Sequence, residues 1–132
     1  MVTAILIDDS LTIQKLLERL TAGKATIAGR AKDGFTGFDL FKQTRPDIVF
    51  LDITMPNCGG KECLKMILDL DRNACVIMVS SLGDQATMQE CLDIGARAFL
   101  KKEELATGDP ESKQKLHALI EQLVQPQESR AA

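Results

Sequence analysis

Apolar and polar positions fall along the chain in blocks. Residues 2–7, V-T-A-I-L-I, form an apolar run that stops at Asp8-Asp9-Ser10. Ile13, Leu16, Leu17 and Leu20 then recur at i, i+3, i+4 and i+7, which predicts one apolar helix face ended by Gly23. Residues 25–31 predict a second strand, diluted by Ala and Gly, and Phe35, Phe38 and Phe41 mark a second helix. After a turn at Pro46, Ile48-Val49-Phe50-Leu51 runs apolar without alternation and ends on Asp52. Such a run suits a strand buried on both faces. Pro56, Asn57 and Gly59-Gly60 break the chain into a loop.

A third helix is expected from about Lys61, carrying Leu64, Ile67 and Leu68, with a turn at Asp71-Arg72-Asn73. Residues 75–79, C-V-I-M-V, predict a fourth strand ending at Ser80-Ser81. A fourth helix from near Asp84 should pack Met88, Cys91 and Leu92 on one side and end at Gly95. Residues 97–101 predict a short fifth strand running into Lys101-Lys102. Glu103 to Gly108 shows no periodicity, and is long for such a connection. Asp109-Pro110 reads as a helix start, with Asp at the N-cap and Pro at the first helical position. The last helix carries Leu116, Leu119, Ile120, Leu123 and Val124 on one stripe, with His117 off it as a surface residue. Pro126 stops that helix, so the domain spans 1–125 and residues 126–132 form a short, flexible tail.

Strand and helix alternate five times. That predicts an α/β fold, with five parallel strands and helices on both faces. Right-handed crossovers leave few topologies. The doubly wound flavodoxin-like order 2-1-3-4-5 is the expected one, although pattern alone leaves a Rossmann order open.

Composition narrows the function classes. The chain has 132 residues, 45% hydrophobic and 27% charged, enough for one core and no sign of wholesale disorder. A net charge of −3 gives no polybasic signal, so nucleic acid is not the expected partner. No apolar run approaches the roughly 20 residues of a membrane span. The N-terminus lacks a secretory signal pattern, so the expected location is cytoplasmic. Cys58, Cys63, Cys75 and Cys91 form no C-x-x-C pair, and His117 is the single histidine. They read as reduced thiols acting as small hydrophobes rather than as zinc ligands.

The polar residues carry the chemistry. Asp8 and Asp9 end the first strand, Asp52 the third, Ser80 the fourth and Lys102 the fifth. In a parallel sheet these ends share one edge, and in the order 2-1-3-4-5 the three acids converge at the switch point. Two carboxylates at about 4 Å repel by roughly 4 kcal/mol at an effective dielectric of 20, so the cluster needs a cation or raised pKa values. An all-oxygen site with room for water suits Mg²⁺. A carboxylate there can attack phosphorus and form an acyl phosphate. The Lys102 ammonium, the Ser80 hydroxyl and backbone N–H groups near Thr54 are placed to hold phosphoryl oxygens.

Four stretches in order, I-L-I-D-D-S, D-I-V-F-L-D-I-T-M-P, V-I-M-V-S-S and G-A-R-A-F-L-K-K, resemble the receiver domain of two-component response regulators. The resemblance is to the stand-alone CheY-like kind and runs from Val2 to about Val124. It implies that Asp52 is the phosphoacceptor. It implies Asp9, Asp52 and the Thr54 backbone carbonyl as direct Mg²⁺ ligands, with Asp8 acting through water. It implies Ser80 as switch hydroxyl, Phe99 as switch aromatic and Lys102 as the phosphate-holding lysine. Phosphorylation then reshapes the face of the fourth helix, fifth strand and fifth helix for a downstream protein. The phosphoryl group comes from a sensor histidine kinase, a phosphotransfer protein or a small phosphodonor, so the chain is a self-catalysed phosphoryl acceptor rather than a classical enzyme. With no effector domain after Val124, it is read as acting alone. The V-S-S-L run also resembles receivers joined to chemotaxis methylesterases, which tilts the expectation toward chemotaxis-like circuitry.

Two departures stand out. The family usually has Pro after the lysine, often with a cis bond; here it is Glu103, which implies a trans bond with a shifted loop or a strained cis one. Two lysines adjoin, and the spacing G-A-x-x-F-L-x-K selects Lys102 over Lys101. The rival readings are a haloacid-dehalogenase-like phosphatase and a receiver that works by protein contacts alone. The first wants D-x-D, whereas Ile53-Thr54 follow Asp52; the second is at odds with the intact acid set.

Overall fold

A computed structural model of the chain describes residues 2–55, 57–81, 85–105 and 110–124. The elements run β1 (Val2–Ile7), α1 (Leu11–Thr21), β2 (Ala25–Ala31), α2 (Gly34–Thr44), β3 (Ile48–Asp52) and α3 (Gly60–Leu70). They continue with β4 (Val76–Ser80), α4 (Gln85–Ile94), β5 (Ala98–Lys101), α5 (Lys102–Leu105) and α6 (Pro110–Leu123). The five strands are parallel in the order β2-β1-β3-β4-β5, the flavodoxin-like arrangement expected from the sequence.

The unbroken apolar runs follow from burial on two sides. Ala4 and Leu6 of β1, Ile48 and Phe50 of β3, and Ile77 and Val79 of β4 pack into one cluster with α1, α5 and α6. The intervening Ile5, Ile7, Val49, Leu51, Val76 and Met78 pack into a second cluster with α2, α3 and α4. Period-two side-chain alternation thus feeds two cores rather than one core and solvent.

Side-chain caps start two of the helices, and glycines the sequence marks follow two. Ser10 caps α1, its hydroxyl accepting from the Ile13 N–H at 3.3 Å, and the Asp33 carboxylate caps α2, accepting from the Thr36 N–H at 2.9 Å. Gly23 and Gly95 follow their helices at φ +86° and +135°, which a side chain would resist. Pro56, the start of the fourth helix at Asp84, the Asp109 cap and the 126–132 tail lie outside the described residues.

The three phenylalanines mark α2 as expected, with Phe41 buried and Phe35 57% exposed, while three other expectations are corrected. Residues six apart on a helix point about 120° apart, so the three phenylalanines cannot share one face. Leu92 is 40% exposed because it follows the buried Cys91 by about a quarter turn. His117 is not a free surface residue: it is half-buried, with Nε2 at 2.9 Å from the Leu20 carbonyl, fastening α6 to α1. The aperiodic stretch after β5 begins with a turn of helix, α5, and no cis peptide bond occurs among the described residues. Among those residues, no helix is long and apolar enough to cross a membrane.

One glycine controls how α3 meets the sheet. The Gly60 N–H donates to the Ile53 carbonyl at 2.7 Å, and a Cβ on Gly60 would lie 2.0 Å from the Asp52 carbonyl oxygen. Backbone cannot yield as a side chain tip does. Gly60→Ala should therefore lower stability by at least the ~1–3 kcal/mol of an overpacked site. Urea unfolding reads this as a lower midpoint, and an unchanged midpoint would contradict the close approach.

Candidate functional site at the C-terminal rim of the sheet

Register delivers the polar residues to one place. Ile7 pairs with Leu51, so Asp8, just past β1, stands beside Asp52, the last residue of β3. Asp52 pairs with Val79, and Ser80 with Lys101. Leu6, Phe50 and Leu100 all pack toward the α1 and α6 side. By alternation, Asp8 and Asp52 inherit that side, while Lys101, next to Leu100 in β5, does not; Lys102 opens α5 and is no longer governed by strand parity.

The contacts bring the first residue of α5 to the same place. The Lys102 ammonium lies 3.1 Å from Asp8 Oδ2 and 3.3 Å from Asp52 Oδ1, and donates to Asp8 Oδ1 at 3.4 Å. Asp8 is 2% exposed and Asp52 4%, whereas Asp9 is exposed. One carboxylate oxygen from each of the three acids lies within 4.8 Å of the other two. Asp8 Oδ1 also accepts from the Ser10 N–H at 2.8 Å. Asp8 Oδ2 is buried without a hydrogen-bond partner, although the Lys102 charge is in ion-pair range.

Burial dominates the electrostatics. It pushes the Asp52 carboxyl up to about 6; the Asp8 charge adds to the rise and Lys102 opposes it. Asp8 is also raised, by burial first, against the Ser10 N–H and Lys102. Fully ionised, three carboxylates and one ammonium sum to −2. That charge, the hard oxygen donors and an Asp8 Oδ2 that lacks a hydrogen-bond partner all fit a small divalent cation.

The other expected residues take different stations. Ser80 is buried at the tip of β4. Thr54 is exposed, two residues past Asp52 in the β3–α3 loop. Phe99 is partly buried and packs on the opposite side of the sheet, against the α2–α4 cluster. The four cysteines are buried and free, and burial pushes the Cys63 thiol up to about 12.

Sequence reasoning passed over Gln14. It is buried, and its amide donates to the Asp8 carbonyl at 2.7 Å and the Ala31 carbonyl at 3.2 Å, holding the ends of β1 and β2 together. The available signal was a polar residue inside the Ile13–Leu17 apolar stripe. The loop after β3 is tied in likewise, the Gly34 N–H donating to the Cys58 carbonyl at 3.0 Å.

This sheet order, with its acids gathered at the switch point, defines a flavodoxin-like α/β domain. The response regulator receiver domain model matches residues 4–120, and the chain belongs to that family. It is 34% identical over 99 residues to the chemotaxis protein CheY of Thermotoga maritima, covering 74% of this chain and 82% of that one. It is 38% identical over 103 residues to protein CcdB of Bacillus subtilis, covering 77% and 86% respectively. The crystal structure of a CheX–CheY–BeF3–Mg²⁺ complex from Borrelia burgdorferi superposes with a TM-score of 0.78 at 32% identity, over 94% of this chain and 90% of that one. The protein is a response-regulator receiver, of a family whose CheY-like members are phosphoryl acceptors rather than enzymes.

The raised Asp52 pKa has a definite stability signature in the metal-free protein. The folded chain keeps the Asp52 proton to about pH 6, whereas the unfolded chain releases it near 3.8. The native state binds more protons between these values, so stability falls as pH rises through the window, by roughly 2–3 kcal/mol. Asp52→Asn removes that loss. With a chelator present, the variant should unfold at higher urea than wild type at pH 7.5, the gap closing below pH 4. A variant no more stable than wild type at pH 7.5 would show that Lys102 already compensates both acids.

Proposed function

We propose that the protein is a response regulator of a two-component phosphorelay, in chemotaxis-like signalling, with Asp52 as phosphoacceptor. The supporting observation is the convergence of Asp8, Asp9 and Asp52, with the Lys102 ammonium between the two buried acids. Asp8, Asp9, Asp52 and the Thr54 carbonyl are the residues that would hold Mg²⁺. Bound there, Mg²⁺ supplies positive charge against the carboxylates and the phosphoryl oxygens.

An Asp52 carboxylate oxygen attacks phosphorus. The new P–O bond forms as the donor's bond breaks, P–N in a phosphohistidine or P–O in an acyl phosphate. The electron pair leaves with the donor; an imidazole donor takes its proton from water. Lys102 holds one phosphoryl oxygen as a point charge and the Ser80 hydroxyl donates to another. No general base is needed, because the nucleophile is already an anion at neutral pH. Hydrolysis reverses the modification: water attacks phosphorus, inorganic phosphate leaves and the carboxylate returns.

The output follows from Ser80 and Phe99. A hydroxyl drawn to the phosphoryl group pulls the tip of β4, and Phe99 on neighbouring β5 turns into the space left. The exposed face built from α4, β5 and α6 changes shape, and a downstream protein reads it. A sensor histidine kinase or phosphotransfer protein is the donor. Relatives named CheY, and the CheX complex of the Borrelia protein, support a chemotaxis-like setting.

Incubation with acetyl phosphate and Mg²⁺, followed by intact mass, tests the mechanism. Wild type should gain one phosphoryl group and Asp52→Asn none; addition that survives the substitution would rule Asp52 out. Lys102→Ala should slow uptake by about 10²-fold, and Lys101→Ala hardly at all. Equal loss in both lysine variants would refute the assignment, and sustained turnover of a phosphomonoester would favour a phosphatase.

A further inference from the structure

The position of Lys102 is a problem of mechanics. Its ammonium must stand within about 3 Å of two carboxylates at once, on a long and flexible side chain. Its backbone belongs to α5, which has four residues, and a single helical turn does not hold itself in water. Something outside α5 has to fix it.

We propose that Leu105 is the positioning residue for Lys102, fixing the turn that carries the lysine so that its ammonium spans Asp8 and Asp52. Leu105 is 5% exposed and shares one buried cluster with Leu16, Leu17 and Leu20 of α1 and Leu116 and Ile120 of α6. Lys102 and Leu105 are three apart, so they lie on neighbouring rows of the same helical turn. Seating Leu105 therefore turns Lys102 toward the side of the sheet that Asp8 and Asp52 occupy. α1 begins at Leu11, directly after Asp8-Asp9-Ser10, so the same cluster seats the helix that follows the acids. A second tie fixes the far end of α5: the Ser112 hydroxyl of α6 donates to the Glu104 carbonyl at 3.1 Å. Leu105 touches no phosphoryl group; it acts through the lysine. The inference rests on the Asp52 phosphoacceptor reading.

The test is a double-mutant cycle on the full chain, with two readouts: the phosphorylation rate with acetyl phosphate, and Mg²⁺ affinity by calorimetric titration. Leu105→Ala should slow phosphorylation about ten-fold, as expected when a charge is held loosely, with Mg²⁺ affinity within about two-fold. Leu105→Ile, which refills the site, should restore the rate. In a Lys102→Ala background, Leu105→Ala should have no further effect. A Leu105→Ala rate equal to wild type, or an equal loss in both backgrounds, overturns the inference, because leucine would then act by general stability or not at all. Should Leu105→Ala fail to fold, Ser112→Ala loosens the other tie. It should slow phosphorylation about two- to three-fold, and only when Lys102 is present; an equal or absent effect overturns the inference in the same way. A wild type that takes up no phosphoryl group sinks the Asp52 reading itself, whereas a phosphorylated wild type indifferent to Leu105 sinks only the positioning role.

Discussion

Two carboxylates, Asp8 and Asp52, are held almost out of water with one ammonium between them. Burial penalises each charge, each carboxylate penalises the other, and Lys102 offsets only part of the sum. A buried pair missing one partner is strongly unfavourable, by several kcal/mol, because the charge left over has neither water nor a counter-ion. The rim is thus left short of positive charge by the fold itself. Whatever neutralises it binds the folded chain and not the unfolded one, and so stabilises it. A site that fits a divalent cation and an anion-accepting carboxylate is the chemical expression of that deficit.

The rest of the structure exists to hold those groups at that distance. Parallel register puts the tips of β1, β3, β4 and β5 side by side. Two-sided burial locks the register, since a slip of one residue would exchange the contents of the two cores. Local ties finish the rim. Gln14 joins the ends of β1 and β2, the Gly34 N–H holds the Cys58 carbonyl, and the missing side chain at Gly60 lets α3 start against the Asp52 backbone. None of these residues carries charge to the site. Each removes a way for the acids to drift apart.

The two faces of the sheet divide the labour. Leu105 and α6 share the cluster that also packs α1, whereas Phe99 and α4 pack on the other side. The β5 strand lies between them and contributes to both, Leu100 on one side and Phe99 on the other. A charge change at Asp52 therefore meets two packed units at one strand, and close-packed units move between discrete arrangements rather than bending smoothly.

The sequence alone determined the order of elements, the parallel sheet and the strand tips on which Asp8, Asp9, Asp52, Ser80 and Lys102 stand, because apolar runs and turn residues are local signals. It also picked Lys102 over Lys101 by spacing, and Lys102 is the lysine whose ammonium lies beside Asp8 and Asp52. It did not reveal α5, where a single turn is too short for a period to show, nor the exposure of Phe35, where spacing by threes drifts around the helix. It did not identify Gln14, Gly60 or Leu105 as parts of the rim's support. Those roles depend on which distant segments meet: the end of β2 above Gln14, the Asp52 carbonyl beside Gly60, and α1 and α6 around Leu105. The burial that lifts the Asp52 pKa belongs to the same class, since desolvation is a property of the assembled neighbourhood and no residue possesses it before the chain has folded.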